Sequence, residues 1–417
     1  MPLHSGPANS RAVPASAVPE SPTVDADWFE ARRIAHVAGS AVPVRTEHLP
    51  IGEALGRTLA DGVVALASLP GFASSAMDGW AVAGGGPWEI GAAILAGEVG
   101  VAVPLEPGTA RPIATGAMVP PGTRAVLRAE HGIEQGDTLG LAPGVDGHEP
   151  RDGAHIRLAG EEAPSGAVLL AADRILTPPQ IALAAAAGVD EVLVRARPRV
   201  ELVVLGAEII AEGVPAPGRV RDVFGPQLPA LLESLGLRSV GVRRVHDDLA
   251  LTVAALRAGR GETDLVIVTG GSSRGPSDHA RAAIVASGGR LLVDRVAMRP
   301  GHPVMLGRLC DGRLALCLPG NPAAGLLALL GVGLPVVDGL LGRPPADLCS
   351  EIAGCDIAGS GRGVSLVAAV VRDGGAQPCD RQSAAMLSGL ADADTVLVVG
   401  PDGARRGDRV AAIRLPW

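Results

Sequence analysis

A chain of 417 residues, 47% of them hydrophobic, carries enough apolar material for more than one folded core. Its formal net charge of −8 argues against general nucleic-acid binding, which needs a basic face. The 5 cysteines (Cys310, Cys317, Cys349, Cys355 and Cys379) are odd in number and lack CxxC spacing. That argues against a disulfide framework or a zinc site and suits a reducing compartment, the cytoplasm.

All 36 basic residues are arginine, and tyrosine is absent. A site that would use lysine as a mobile point charge must here use a rigid guanidinium or do without.

Residues 1–23, rich in Pro, Ala and Ser, read as a disordered tail with no apolar stretch for a signal peptide or anchor. Trp28 to Val37 reads as a helix, with Trp28, Phe29, Ile34 and Val37 as its apolar face. From about 60 to 198, short Val/Leu/Ile runs broken by Gly and Pro predict a β-rich region. At Arg199 the rhythm changes. Strands are expected at Val200–Leu205, Val240–Val245, Leu265–Thr269 and Leu314–Leu318, with helices at Leu228–Leu235, Leu249–Arg257 and Ala280–Ala286. This alternation predicts βαβ units, a mostly parallel sheet and ligands beyond its carboxyl ends. The stretch that comes nearest to a membrane span, Ala323 to Leu341, is interrupted by Gly325, Gly331, Gly333, Pro335, Asp338 and Gly339, so it reads as a buried helix and turn. Beyond about 346, strand-like runs return at Ser365–Val371, Thr395–Val399 and Arg409–Ile413.

Three loops at strand ends carry the chemistry. Pro319-Gly320-Asn321-Pro322 closes an apolar strand and opens an apolar helix, which gathers backbone N–H groups where an anion can sit. Pro322 suits the first helical turn because its missing N–H would have had no partner there. Thr269-Gly270-Gly271-Ser272-Ser273-Arg274-Gly275 offers close backbone approach and added donors, and Asp278 follows as a metal ligand or a helix cap. Arg299-Pro300-Gly301-His302-Pro303 holds two basic side chains apart on a stiff turn. Each alone is compatible with a turn needed only for its shape. Together, at corresponding ends of one sheet, they imply a polyanionic ligand. Far upstream, Ser75-Ala76-Met77-Asp78-Gly79-Trp80-Ala81-Val82 and Thr115-Gly116-Ala117 are ambiguous by themselves.

In this order, the segments resemble the MoeA family of molybdopterin molybdenumtransferases, related to the gephyrin E domain. The likeness runs from about residue 26 to the C-terminus and is carried most specifically by Ser75–Gly79 and Leu318–Pro322. The resemblance implies an α/β and β multidomain fold. Its three-layer α/β domain, like that of the MogA proteins, would span 199–343, with elongated β-rich domains at 24–83 plus 148–198 and at 84–147. A C-terminal β-barrel-like domain would span 344–417.

The resemblance also implies insertion of molybdate into adenylylated molybdopterin, with release of AMP and with Mg²⁺ or Zn²⁺ as the metal. Asp78, Glu208, Asp247 and Asp278 are the implied catalytic residues. Thr115, Gly270, Gly271, Ser272, Ser273, Gly275, Pro319, Gly320, Asn321 and Pro322 would bind the substrate. Arg299, His302, Arg362 and Ser383 would face molybdate, and Glu208, Asp222 and Asp278 would hold the metal. A homodimer with a shared cleft is implied, with a molybdopterin adenylyltransferase or cofactor-delivery proteins as partners and neither nucleic acid nor membrane. Ala207, Val223, Phe224, His302 and Ala324 stand where the family carries other, mostly polar, side chains. They leave open a second function, a cofactor-binding or scaffold protein of the same fold.

Overall fold

The computed structural model describes residues 21–97, 103–146, 150–272 and 279–417. Two compact units form: one joins the chain up to Arg45 with Arg195–Trp417, and the other is Thr46–Val194.

The first unit is built on a seven-stranded sheet. Its order is Thr23–Ala26, Arg290–Val296, Met305–Arg308, Leu314–Leu318, Leu265–Thr269, Arg199–Leu205 and Arg238–Val245. Neighbours are parallel except on either side of Met305–Arg308, so the sheet is mixed at that hairpin and parallel where the loops after Leu205, Thr269 and Leu318 emerge. The interior Leu265–Thr269 strand is buried on both faces. Leu265 and Ile267 join the core with Trp28, Ile34, Leu228 and Leu232, while Val266 and Val268 pack with Leu256, Ala283 and Ile284. Two-sided burial explains why it reads as an unbroken apolar run.

Thr23, assigned by the sequence to the tail, opens the edge strand Thr23–Ala26, paired in parallel with Val293–Val296. The main-chain pairing that orders it leaves no trace in composition. The following helix is Trp28–Ser40, with the Asp27 carboxylate accepting from the Phe29 and Glu30 amides at 2.9 and 3.3 Å. Phe29, expected on the apolar face, is 54% exposed; the buried face is Trp28, Ala31, Ile34, Ala35 and Ala38. The helix outruns its expected end because Ala38 and Gly39 pack on Leu334–Leu340. A Cβ on Gly39 would strike the Val336 carbonyl, and one on Gly339 would strike that of His36.

The apolar run after Pro322 is a helix to Leu340, with a π-helical turn at Leu329–Gly333 in place of the expected break. Pro335 has no N–H for the carbonyl four residues back, that of Gly331. Arg32 Nη1 donates to that oxygen instead, at 2.9 Å. The segment has the length and hydropathy of a membrane span, but 89% of its most apolar window is buried inside the unit. It is a core helix.

The chain ends in a six-stranded sheet ordered Met298–Arg299, Val364–Arg372, Thr395–Val399, Arg409–Arg414 and Cys349–Ile352, with Gly375–Pro378 paired to Val364–Arg372. Its first strand comes from the stretch expected to lie wholly in the α/β domain.

The Thr46–Val194 unit holds a six-stranded sheet in the order Ala125–Arg128, Gly79–Val82, Thr109–Ile113, Trp88–Ile90, Thr138–Leu141 and Gly132–Gln135. It also holds a helix, Pro178–Ala186, inside the stretch that the sequence reads as β-rich. Two prolines hid it. They occupy its first turn, behind a Thr177–Gln180 capping box with the Thr177 amide 2.9 Å from Gln180 Oε1.

Candidate functional site

A cleft of about 740 Å³ opens at the carboxyl ends of the Arg199–Leu205, Leu265–Thr269 and Leu314–Leu318 strands. It is lined by Glu208, Arg221, Asp222, Asp247, Thr269 to Ser272 and Pro319 to Pro322, among others. Of the three loops expected to meet a polyanion, those after Leu265–Thr269 and Leu314–Leu318 line it, and the Arg299–Pro303 loop contributes Pro303. The loops can close on one another only because they carry glycine. Gly270 has φ +87° and passes so near the first strand that a Cβ would sit 2.6 Å from the Leu205 carbonyl oxygen. A Cβ on Gly320 would come within 3.3 Å of Gly270 Cα.

Side-chain alternation puts Thr269 on the same sheet face as Leu265 and Ile267. Its hydroxyl is buried in the cleft wall and has no hydrogen-bond partner among the described residues. Sequence reasoning took the glycines and serines of this loop and passed over that hydroxyl. Ser273, Gly275 and Asp278 lie outside the described residues.

The carboxylates divide into different roles. Asp247 Oδ2 accepts from the Ala207 amide at 2.9 Å, which fixes the turn carrying Glu208. Glu208 is exposed at the cleft, its carboxylate lying over Gly206. Asp222, expected as a metal ligand, is spent internally. Its Oδ1 accepts from the Phe224 and Gly225 amides at 3.0 and 2.9 Å, and its Oδ2 from Arg244 Nε and Nη2 at 3.0 and 2.6 Å. A carboxylate offers about four acceptor sites, and all four are used. Phe224, which follows, is buried over Gly325; a Cβ there would lie 2.6 Å from the ring.

The helix start at Pro319–Pro322 is narrower as an anion cradle than its motif suggests. Pro322 has no N–H, the Ala324 amide donates to the Ala384 carbonyl at 3.0 Å, and the Gly325 amide closes the first helical bond to Asn321 O at 2.8 Å. The Asn321 side chain makes no cap hydrogen bond among the described residues and stays exposed at the cleft.

Of the residues expected at molybdate, His302 and Arg362 meet on one carboxylate, that of Asp25. His302 Nε2 lies 2.9 Å from Oδ1, Arg295 Nε 3.3 Å from the same oxygen, and Arg362 Nη2 3.7 Å from Oδ2. The bond from His302, reinforced by Arg295 and Arg362, holds the Asp25 carboxyl below the ordinary aspartate range. Pro303, beside His302, lines the cleft, as does Ala385, two residues after Ser383. Arg299 is exposed on its short strand. Neither Asp25 nor Arg295 carries a sequence signal, because each gains meaning only through partners distant in the chain.

Asp78 and Thr115 belong to the Thr46–Val194 unit. Thr115 donates its amide and its hydroxyl to Asp78 Oδ1 at 2.7 and 2.8 Å. These two bonds hold the carboxyl below its usual range and keep an exposed acid ionised and aimed. Just before it, Ser75 Oγ donates to the Met77 carbonyl at 2.5 Å. Just after it, Gly79 passes so close to the neighbouring strand that a Cβ would collide with the Leu127 carbonyl. That close approach is the physical need for glycine after Asp78.

Residues 28–188 match the MoeA N-terminal region (domains I and II), and 201–339 match a probable molybdopterin binding domain. The chain is 33% identical over 296 residues to molybdopterin molybdenumtransferase 2 of Mycobacterium tuberculosis, covering 67% of this chain and 71% of that one. It is 31% identical over 313 residues to the molybdopterin molybdenumtransferase of Staphylococcus epidermidis, covering 72% and 73%. A solved molybdopterin biosynthesis MoeA protein from Pyrococcus horikoshii shares the fold at a TM-score of 0.76 and 22% identity, covering 93% of this chain and 98% of that one. The ordered loops, the cleft and these likenesses converge: the chain is a member of the MoeA family of molybdopterin molybdenumtransferases.

Proposed function

We propose that the protein is a molybdopterin molybdenumtransferase acting in molybdenum cofactor biosynthesis. In this reading it inserts molybdate into adenylylated molybdopterin and releases AMP. The observation that carries it is the cleft of glycine loops at three parallel strand ends, in a chain 33% identical to a molybdopterin molybdenumtransferase. Polar backbone from Thr269 to Ser272 and from Pro319 to Asn321 suits a ligand with phosphates, as does the buried Thr269 hydroxyl, which has no partner among the described residues.

The residues present fit magnesium better than zinc. Among the described residues, no three His, Cys, Asp or Glu side chains group into a metal cage. Glu208 and Asp247 line the cleft, and Mg²⁺ is commonly held by one or two carboxylates together with substrate phosphates. Glu208 would hold it, with Asp247 fixing the turn beneath. The metal would supply charge compensation at the phosphoanhydride. Asp78, ionised and aimed by Thr115, would serve a cleft completed in a homodimer. Reducing, cytoplasmic surroundings suit the 5 free cysteines.

Incubation with adenylylated molybdopterin, molybdate and Mg²⁺ should release AMP and form cofactor that reconstitutes a cofactor-free molybdoenzyme. AMP release no faster than in a protein-free control, beside an active homologue, defeats the proposal. Pterin binding by calorimetry without turnover would support the binding-protein alternative, which the saturated Asp222 and buried Phe224 favour. Light scattering of the purified chain tests the dimer.

A further inference from the structure

Four segments remote in sequence meet at Asp25: the first edge strand, the Arg290–Val296 strand, the loop carrying His302 and the turn carrying Arg362. The backbone is unusual twice at this point. Asp25 has φ +48° and Arg295 φ +70°, a conformation that non-glycine residues seldom adopt. The parallel register passes from Val24 paired with Asp294 to Ala26 paired with Val296, so Asp25 and Arg295 leave the ladder together. Strain shared by two facing residues is a mark of a functional position.

Charge is unbalanced at the cluster. Arg281 and Arg295 accompany Asp294, and Arg295, Arg362 and His302 surround Asp25. Two carboxylates therefore face three arginines and a histidine. The cluster is open: the Arg362 side chain is 77% exposed and that of His302 49%. Ion pairs this exposed are individually weak, so the Asp25 carboxylate is displaceable. It satisfies donors that a tetraoxo anion, with more oxygens and more charge, would satisfy better.

We propose that Asp25 is a built-in counter-anion capping this cationic cluster, so that an incoming tetraoxo anion must displace its carboxylate and Asp25 sets how tightly that anion is held. The proposal rests on the reading of His302 and Arg362 as molybdate contacts.

Calorimetric titration of the full chain with molybdate, and with sulfate as an anion of the same shape, tests it in the wild type, Asp25→Asn, Arg362→Gln and the double variant. Asparagine keeps the side-chain shape and tolerates the left-handed backbone. If thermal melting shows Asp25→Asn misfolded, Asp25→Gly replaces it, since glycine adopts that φ freely. The expected result is molybdate binding roughly tenfold tighter in Asp25→Asn, with the gain lost in the double variant. Binding unchanged or weaker in folded Asp25→Asn overturns the proposal. If the same protein binds molybdate and Arg362→Gln weakens it, the molybdate reading survives that failure. Indifference to both substitutions removes both readings.

Discussion

The two units each present an aspartate beside a glycine-bearing turn, and they use it in opposite ways. In the β-rich unit, Asp78 is exposed, held by two Thr115 donors and kept ionised. In the α/β unit, Asp222 has a fully buried side chain and spends every acceptor site on Arg244 and on its own turn. One carboxylate is held exposed at the surface of its unit; the other is a bolt within its fold. The difference shows why an acidic residue in a motif is not yet a ligand. What decides is how many of its lone pairs the fold has already taken.

Substitutions at the two aspartates should separate function from stability. Asp78→Asn is expected to lower kcat about a hundredfold while unfolding stays within about 0.5 kcal/mol of wild type. A large loss of stability instead would make Asp78 structural too. Asp222→Ala should show the reverse priority. It strands two amides and a guanidinium, and with Arg244 partly exposed the cost is about 2 kcal/mol in denaturant unfolding. Full stability in that variant, with lost metal dependence of AMP release, would restore Asp222 to the metal site.

Gly325→Ala sharpens the cleft side of the comparison. Its methyl group meets the Phe224 ring, so destabilisation of about 1–2 kcal/mol is expected, with a rise in KM as the ring is pushed toward the ligand. The smallest effect belongs to Thr115→Val. Asp78 has a depressed pKa in the folded protein, so its ionised form persists to lower pH than that of a free aspartate. Any stability this contributes is present above the unfolded value and is lost as pH falls through the folded one. Removing one donor raises that pKa. The acid limb of the kcat profile should therefore move to higher pH, with only a few-fold loss confined to acidic solution.

Much of the α/β unit was legible because burial on two faces writes itself into composition. The bounds of Leu265–Thr269 and Leu314–Leu318 follow from apolar runs ended by Gly270 and Pro319, and those of Ala280–Ala286 from an apolar run that stops at Ser287-Gly288. Elements ordered by distant partners were not. Thr23–Ala26 is a strand only through the Arg290–Val296 backbone, and Pro178–Ala186 is a helix despite two prolines that suit its first turn. Among the site residues, the glycine loops could be located because close backbone approach demands glycine. The partners of Asp222, His302 and Arg362 could not, since nothing local records which charge a long side chain will reach.

By itself the sequence determined the βαβ rhythm, the three loops at strand ends, and the glycines after Asp78 and Thr269. These are local demands of backbone geometry and burial, and residue type states them directly. Tertiary structure alone decided that Asp222 is consumed by Arg244, that Arg32 caps the carbonyl freed by Pro335, and that Asp25 gathers His302, Arg295 and Arg362. Those outcomes depend on which donors and acceptors the folded chain brings within about 3 to 4 Å, a distance that no spacing along the chain encodes.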